Sequence, residues 1–178
     1  TTVSMESPES QRRRMSDVAI NRAVGPNALM IACANGCAAI VQMLLQRKAS
    51  VNFINSHGSP LMAASLHGHL DIVEHLLAAR ADVDQQTDEG SSALMACSLQ
   101  GSETVAEALI AARASVNATK PDGTTALLEA CHLGHELVVK VLLQNGADVK
   151  LCNSNGNSPL LAACDRGHEV AARNTLQA

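Results

Sequence analysis

The chain has 178 residues, a length that suits one ordinary domain, and its 13 basic and 17 acidic residues leave a formal charge of −4. That balance gives no support to nucleic-acid binding, and no stretch approaches the roughly 20 consecutive apolar residues of a membrane span. Apolar residues make up 47%, enough for a core, yet Phe53 is the only aromatic, so that core must be Ala, Leu, Val, Met and Cys.

Thr1 to Met15 is polar and is predicted to be a disordered segment, without the apolar core of a secretory signal. Ser7-Pro8 is a proline-directed phosphorylation string, and Arg13-Arg14-Met15-Ser16 suits a basophilic kinase. Ser16 to Val24 is predicted to form a short helix, capped by Ser16, halted by Gly25-Pro26 and covering the side of the first repeat.

From there one phrase recurs. A leucine returns at Leu29, Leu61, Leu94, Leu127 and Leu160, at spacings of 32, 33, 33 and 33 residues. Three places on stands a small residue (Ala32, Ala64, Cys97, Ala130, Ala163), and seven places on stands glycine (Gly36, Gly68, Gly101, Gly134, Gly167). A fixed period of this length marks a solenoid whose units bury their apolar faces by stacking on one another. A solenoid offers a long surface rather than a closed pocket, so binding is the first functional expectation.

The copies run in order over 28–52, 59–84, 91–117, 121–148 and 157–176, the first being the most divergent and expected to be the least stable. The fullest is PDGTTALLEACHLGHELVVKVLLQNGAD, from Pro121 to Asp148. Asp122-Gly123 signals a turn, Thr125 is placed to cap a helix over Ala126 to Leu133, and Gly134 ends it. His135 to Gln144 reads as a second helix with Leu137, Val138, Val141, Leu142 and Leu143 on its apolar side, and Asn145-Gly146 stops it. In the last copy Asn174 and Thr175 replace Val141 and Leu142, a polar change that suits a terminal cap.

This phrase resembles the ankyrin repeat, DGxTPLHxAAxxGHxxVVxxLLxxGADVN, over about residues 25–178. The resemblance implies an all-α repeat solenoid, a stack of helix-turn-helix units with projecting hairpin loops, filling 16–178 as repeats of about 25–55, 56–87, 88–120, 121–153 and 154–178. It also implies a concave face, lined by first helices and hairpin tips, where partners bind. The family's histidine after the anchor leucine is absent, with Met30, Met62, Met95, Leu128 and Leu161 in its place. That puts its hydrogen-bond network in doubt and adds apolar packing. Lys48, Arg80 and Arg113 replace the glycine that closes the second helix. They read either as charges complementing helix C-termini or as a basic ladder for an acidic partner.

Chemistry is sparse. Cys33, Cys131 and Cys164, four places after their leucines, and Cys97, three after, are expected in the core as small hydrophobes. Cys33 and Cys37 are four apart, but no second ligand pair accompanies them, so no metal site is expected. Free thiols imply a reducing compartment, hence a cytoplasmic or nuclear location. His69, His135 and His168 follow the turn glycines and are expected to bond the loop backbone; His57, His67, His75 and His132 are scattered. HExxH, GxSxG and phosphate-cradling glycine patterns are all missing, so neither enzyme activity nor a cofactor is expected.

By the resemblance, each first helix shows the positions two, five and six after its leucine: Ile31, Ala34 and Asn35; Ala63, Leu66 and His67; Ala96, Leu99 and Gln100; Glu129, His132 and Leu133; Ala162, Asp165 and Arg166. Leu66, Leu99 and Leu133 either form an apolar groove or pack under the hairpins. The hairpins add Phe53, Gln85, Gln86, Asp88, Glu89, Lys120 and Asp122, with an acidic central tip. The candidate partner-binding residues are therefore Leu66, His67, Leu99, Gln100, Glu129, His132, Leu133, Phe53, Asp88 and Glu89. The expected function is a monomeric scaffold or adaptor that binds a protein or peptide carrying apolar anchors and a basic residue. A regulatory domain acting in cis within a larger enzyme or channel is the alternative.

Overall fold

The computed structural model describes residues 27–178; the predicted Thr1–Met15 segment, the Ser16–Val24 helix and the Ser7 and Ser16 strings lie outside the described residues. The described residues form ten helices in five consecutive pairs. These are α1 (Asn27–Ala34) with α2 (Ala38–Gln46), α3 (Pro60–Leu66) with α4 (Leu70–Ala78), and α5 (Ala93–Gln100) with α6 (Glu103–Ala111). Then come α7 (Ala126–Leu133) with α8 (Glu136–Gln144), and α9 (Pro159–Asp165) with α10 (Glu169–Gln177).

Local chemistry sets these boundaries. Ser59, Ser92, Thr125 and Ser158 stand in extended backbone and accept a hydrogen bond from the N–H three residues on, at Met62, Met95, Leu128 and Leu161. Each satisfies a backbone donor that the first helical turn leaves unpaired. At Gly101 and Gly134 the turn requires glycine twice over. Both have left-handed φ, at 81° and 73°, and the ring of the next unit's histidine, His135 or His168, occupies the space a Cβ would need.

The second helices close through the same left-handed step, at Lys48 (φ 58°), Arg80 (φ 64°), Arg113 (φ 69°) and Gly146 (φ 81°). A side chain there costs roughly 1–2 kcal/mol, and a cation beside a helix C-terminus offsets about 0.3–1 kcal/mol of it. Four hairpin tips follow, each closed by a main-chain bond from the N–H of Asn55, Thr87, Lys120 or Asn153 to the carbonyl of Gly58, Ser91, Thr124 or Asn157, and by a return bond to the carbonyl of that same first residue from the N–H of Gly58, Gly90, Gly123 or Gly156.

The core runs unbroken through the stack. Leu29, Leu61, Leu94 and Leu127 are buried, and so is the small residue three places on in all five units. First helices pack on each other more extensively than second helices do. Met62, Met95 and Leu128 are buried where the family has its histidine and give the added apolar packing expected there, whereas Met30 is half-buried and Leu161 is exposed.

Other polar groups tie the units together. The side chain of Asn52 accepts from the N–H of Asp82 at 2.8 Å, and that of Asn117 accepts from the N–H of Asp148 at 2.8 Å. Between them, Asp84 accepts from the N–H of Ser115 at 2.7 Å and from its hydroxyl at 2.6 Å. His69 Nε2 meets the carbonyl of Ala34 at 3.2 Å, and His135 Nε2 meets that of Leu99 at 3.0 Å. His69 and His135 thus bond backbone as expected, but in the preceding unit, which makes them clasps between repeats.

Four expectations need correction. Leu137 is exposed and Val139 is buried. The position of Leu137 faces solvent in every unit, at Ala39, Asp71, Thr104 and Val170, so one copy read alone misplaced it. Ala162 is buried rather than displayed, unlike Ala63 and Ala96 at the matching positions. Cys164 is exposed, unlike Cys33, Cys97 and Cys131, because no described unit packs over the last pair. Thr175 is buried, and its hydroxyl is satisfied within α10 by the carbonyls of Ala171 and Ala172.

Candidate partner-binding surface

The first-helix side carries a row of incompletely covered leucines. Leu66 ends α3 and is 41% exposed, Leu99 sits near the end of α5 at 38%, and Leu133 ends α7 at 41%. They are not tucked wholly under the hairpins. The helix period places each at the C-terminal edge of its first helix, five or six residues after a buried anchor, where the next turn begins.

Leu66 and Leu99 share the wall of an open cavity of about 220 Å³ between α3 and α5, beneath the first and second hairpins. Met62, Ala63, Met95 and Ala96 add to its apolar lining. Glu89 and His57 stand at its rim with Ser56, Thr87 and Ser91. Glu89 and His57 are exposed, as is Asp88 beside Glu89 at the hairpin tip. The cavity is apolar below and polar, with one carboxylate, above.

The remaining candidates lie elsewhere along the strip. His67 follows α3, and its ring stacks on that of His69 with centroids 6.1 Å apart. Gln100 is exposed at the last position of α5. Glu129 is half-buried in an ion pair with Lys120 at 2.8 Å, so α7 and its hairpin are tied together there. His132 Nε2 lies 2.9 Å from the Arg166 guanidinium of the next unit, which can only donate to it. Phe53 is half-buried in the first hairpin, outside the cavity lining. The structure therefore joins Leu66, Leu99 and Glu89 in one site and distributes the other seven.

Met62 and Met95 are part of this site, yet the sequence showed them only as replacements for a histidine. Their signal was the repeat register itself: they follow the anchors by one place, and Ala63, Ala96, Leu66 and Leu99 follow in step. His57 had no such signal, because it reaches the rim through its hairpin.

Charge is quiet elsewhere. Asp122 has its carboxyl held below the usual carboxylate value by hydrogen bonds from Thr124, with Lys120 nearby. Burial pushes the thiols of Cys33, Cys97 and Cys131 up to about 12. Among the described residues, no cluster of three or more His, Cys, Asp or Glu side chains is arranged to hold a metal ion, and no helix is long and apolar enough to cross a membrane.

The family model described as ankyrin repeats (3 copies) matches residues 13–87, 61–151 and 94–174. The human ankyrin repeat and KH domain-containing protein 1 is 38% identical over 66 residues, covering 37% of this chain. This chain spans 2% of that protein's length. With the leucine period, the five helix pairs and these matches together, the chain belongs to the ankyrin repeat family.

Proposed function

We propose that this chain recognises a protein or peptide through its concave side, taking an apolar side chain into the cavity between α3 and α5 and a neighbouring basic residue against Glu89 and Asp88. Ankyrin repeats are in general protein-interaction modules, and the family is typically non-enzymatic. The observation that carries the finer reading is the pairing of Leu66 and Leu99 on one apolar cavity with a carboxylate at its rim. Apolar surface left in water beside a fixed negative charge suits an amphipathic segment with an apolar anchor and a cation. Such a module acts as a scaffold or adaptor. A reducing compartment, the cytoplasm or nucleus, is its proposed location, in keeping with six free thiols, three of them buried.

A second reading, a domain acting in cis within a larger protein, draws on the human relative, of whose length this chain covers 2%. Full-length sequence separates the two readings.

Peptide-library selection against the chain tests the site. Selected peptides are expected to share an apolar residue beside Lys or Arg, and to lose binding to a Leu66→Ser/Leu99→Ser variant with an unchanged melting curve. Glu89→Lys is expected to remove the preference for a basic neighbour. If the double variant keeps its fold and selects the same peptides with the same affinity, the reading is wrong.

A further inference from the structure

A different face carries a second signal. Lys48, Arg80 and Arg113 occupy one register position in three successive units, at the C-terminal ends of α2, α4 and α6. All three are exposed and have left-handed backbone, where glycine is the unstrained choice. Gly146 takes the same position in the fourth unit, and a Cβ there would meet nothing within 4 Å. Room therefore does not dictate the residue. Helix-end complementarity does not dictate it either, because a cation in the last helical turn would serve the dipole without left-handed strain. The last turns of α2 and α6 carry no basic residue. The charges sit instead at the strained position, and among the described residues the three side chains make no ion pair or hydrogen bond.

We infer that Lys48, Arg80 and Arg113 form a docking ladder for an acidic protein segment, separate from the concave site. Packed helices stand about 8–10 Å apart, which sets the spacing of the backbone positions that carry the three cations. A segment in the polyproline II conformation advances about 3.1 Å per residue with three residues per turn, which returns every third side chain to one face about 9 Å further on. The matching partner presents a carboxylate at each third residue. A nucleic-acid strand fits poorly, since its charges recur about every 3.4 Å and would meet Asp82 and Asp84, exposed just beyond Arg80.

The test uses the chain itself and fluorescent synthetic peptides at low salt, followed by anisotropy. One peptide carries three glutamates at every third residue in a Gly/Ser background; a second has the same composition with its glutamates adjacent. The spaced peptide is expected to bind more tightly than the clustered one. The Lys48→Gly/Arg80→Gly/Arg113→Gly variant is expected to lose about tenfold of that affinity, the scale of three exposed ion pairs, while melting no lower than the parent. A Gln triple variant, which keeps the side chains but not the charge, is expected to lose it equally. The ladder is refuted if either variant binds the spaced peptide as the parent does, if the clustered peptide binds as tightly, or if oligothymidylate of equal charge binds better.

Discussion

The fourth and fifth units carry nearly the same phrase and reach different outcomes. Leu128, one place after its anchor, is 6% exposed; Leu161, at the matching position, is 50% exposed. Cys131 is fully buried and Cys164 is exposed. Leu143 is half-buried and Leu176 is 70% exposed. Nothing in the local sequence separates these pairs. What differs is that α9 and α10 pack over the fourth unit, whereas among the described residues no pair packs over the fifth. Burial in this fold belongs to the neighbour rather than to the residue, as a one-dimensional stack requires.

The sharpest way to break that comparison is thiol chemistry. Raised to about 12 from 9.0, the buried Cys131 holds about a thousandth of the thiolate of an ordinary cysteine at the same pH. In a disulfide-exchange assay near neutral pH, Cys164 and Cys152 are expected to react promptly. Cys33, Cys97 and Cys131 should react only on unfolding. Prompt labelling of Cys131 would mean that the fifth unit does not stay docked.

Stability gives the next largest contrast. Leu128→Ala is expected to cost about 2–5 kcal/mol in urea unfolding, because it leaves a cavity between packed units. Leu161→Ala removes the same atoms from a half-exposed site and is expected to cost under about 1 kcal/mol. Equal losses would show that the last pair is covered in solution.

Smaller effects test the ties between units. Asp84→Ala removes the acceptor for both the N–H and the hydroxyl of Ser115 and is expected to cost about 1 kcal/mol. Lys150 holds the matching position in the fourth unit, and Lys150→Ala is expected to change stability by less than about 0.5 kcal/mol. The smallest effect concerns Asp122, whose carboxyl is lowered in the folded chain. Its ionised form favours folding, so that contribution is present above the unfolded carboxylate range and is lost as pH falls through the lowered folded value. Asp122→Asn should flatten the acid limb of a stability profile slightly and leave neutral stability nearly unchanged.

Much of the stack was legible because its signals are local. Thr125, Gly134 and the alternation around Leu127 lie within one turn of the helix they define, and α7 runs from Ala126 to Leu133 as that spacing implies. The clasps were not legible. Asn52 meets Asp82 and His135 meets Leu99 across 30 and 36 residues, and polarity alone does not say which backbone group a side chain will find. Leu137 was misplaced for a related reason: helical spacing ranks faces within one helix, while the units stacked alongside decide which face is covered.

The candidate binding surface divides the same way. The sequence by itself determined the period, the family phrase, the helix caps, and the positions where Lys48, Arg80 and Arg113 depart from glycine, since each is a matter of residue type at a fixed register. Only the tertiary structure decided that Leu66 and Leu99 share one cavity with Met62 and Met95 while Leu133 stands apart, that Glu89 reaches its rim, and that Glu129 is held by Lys120. A side chain's register is written in its own repeat. Its exposure and its partners depend on the surfaces that neighbouring repeats place against it.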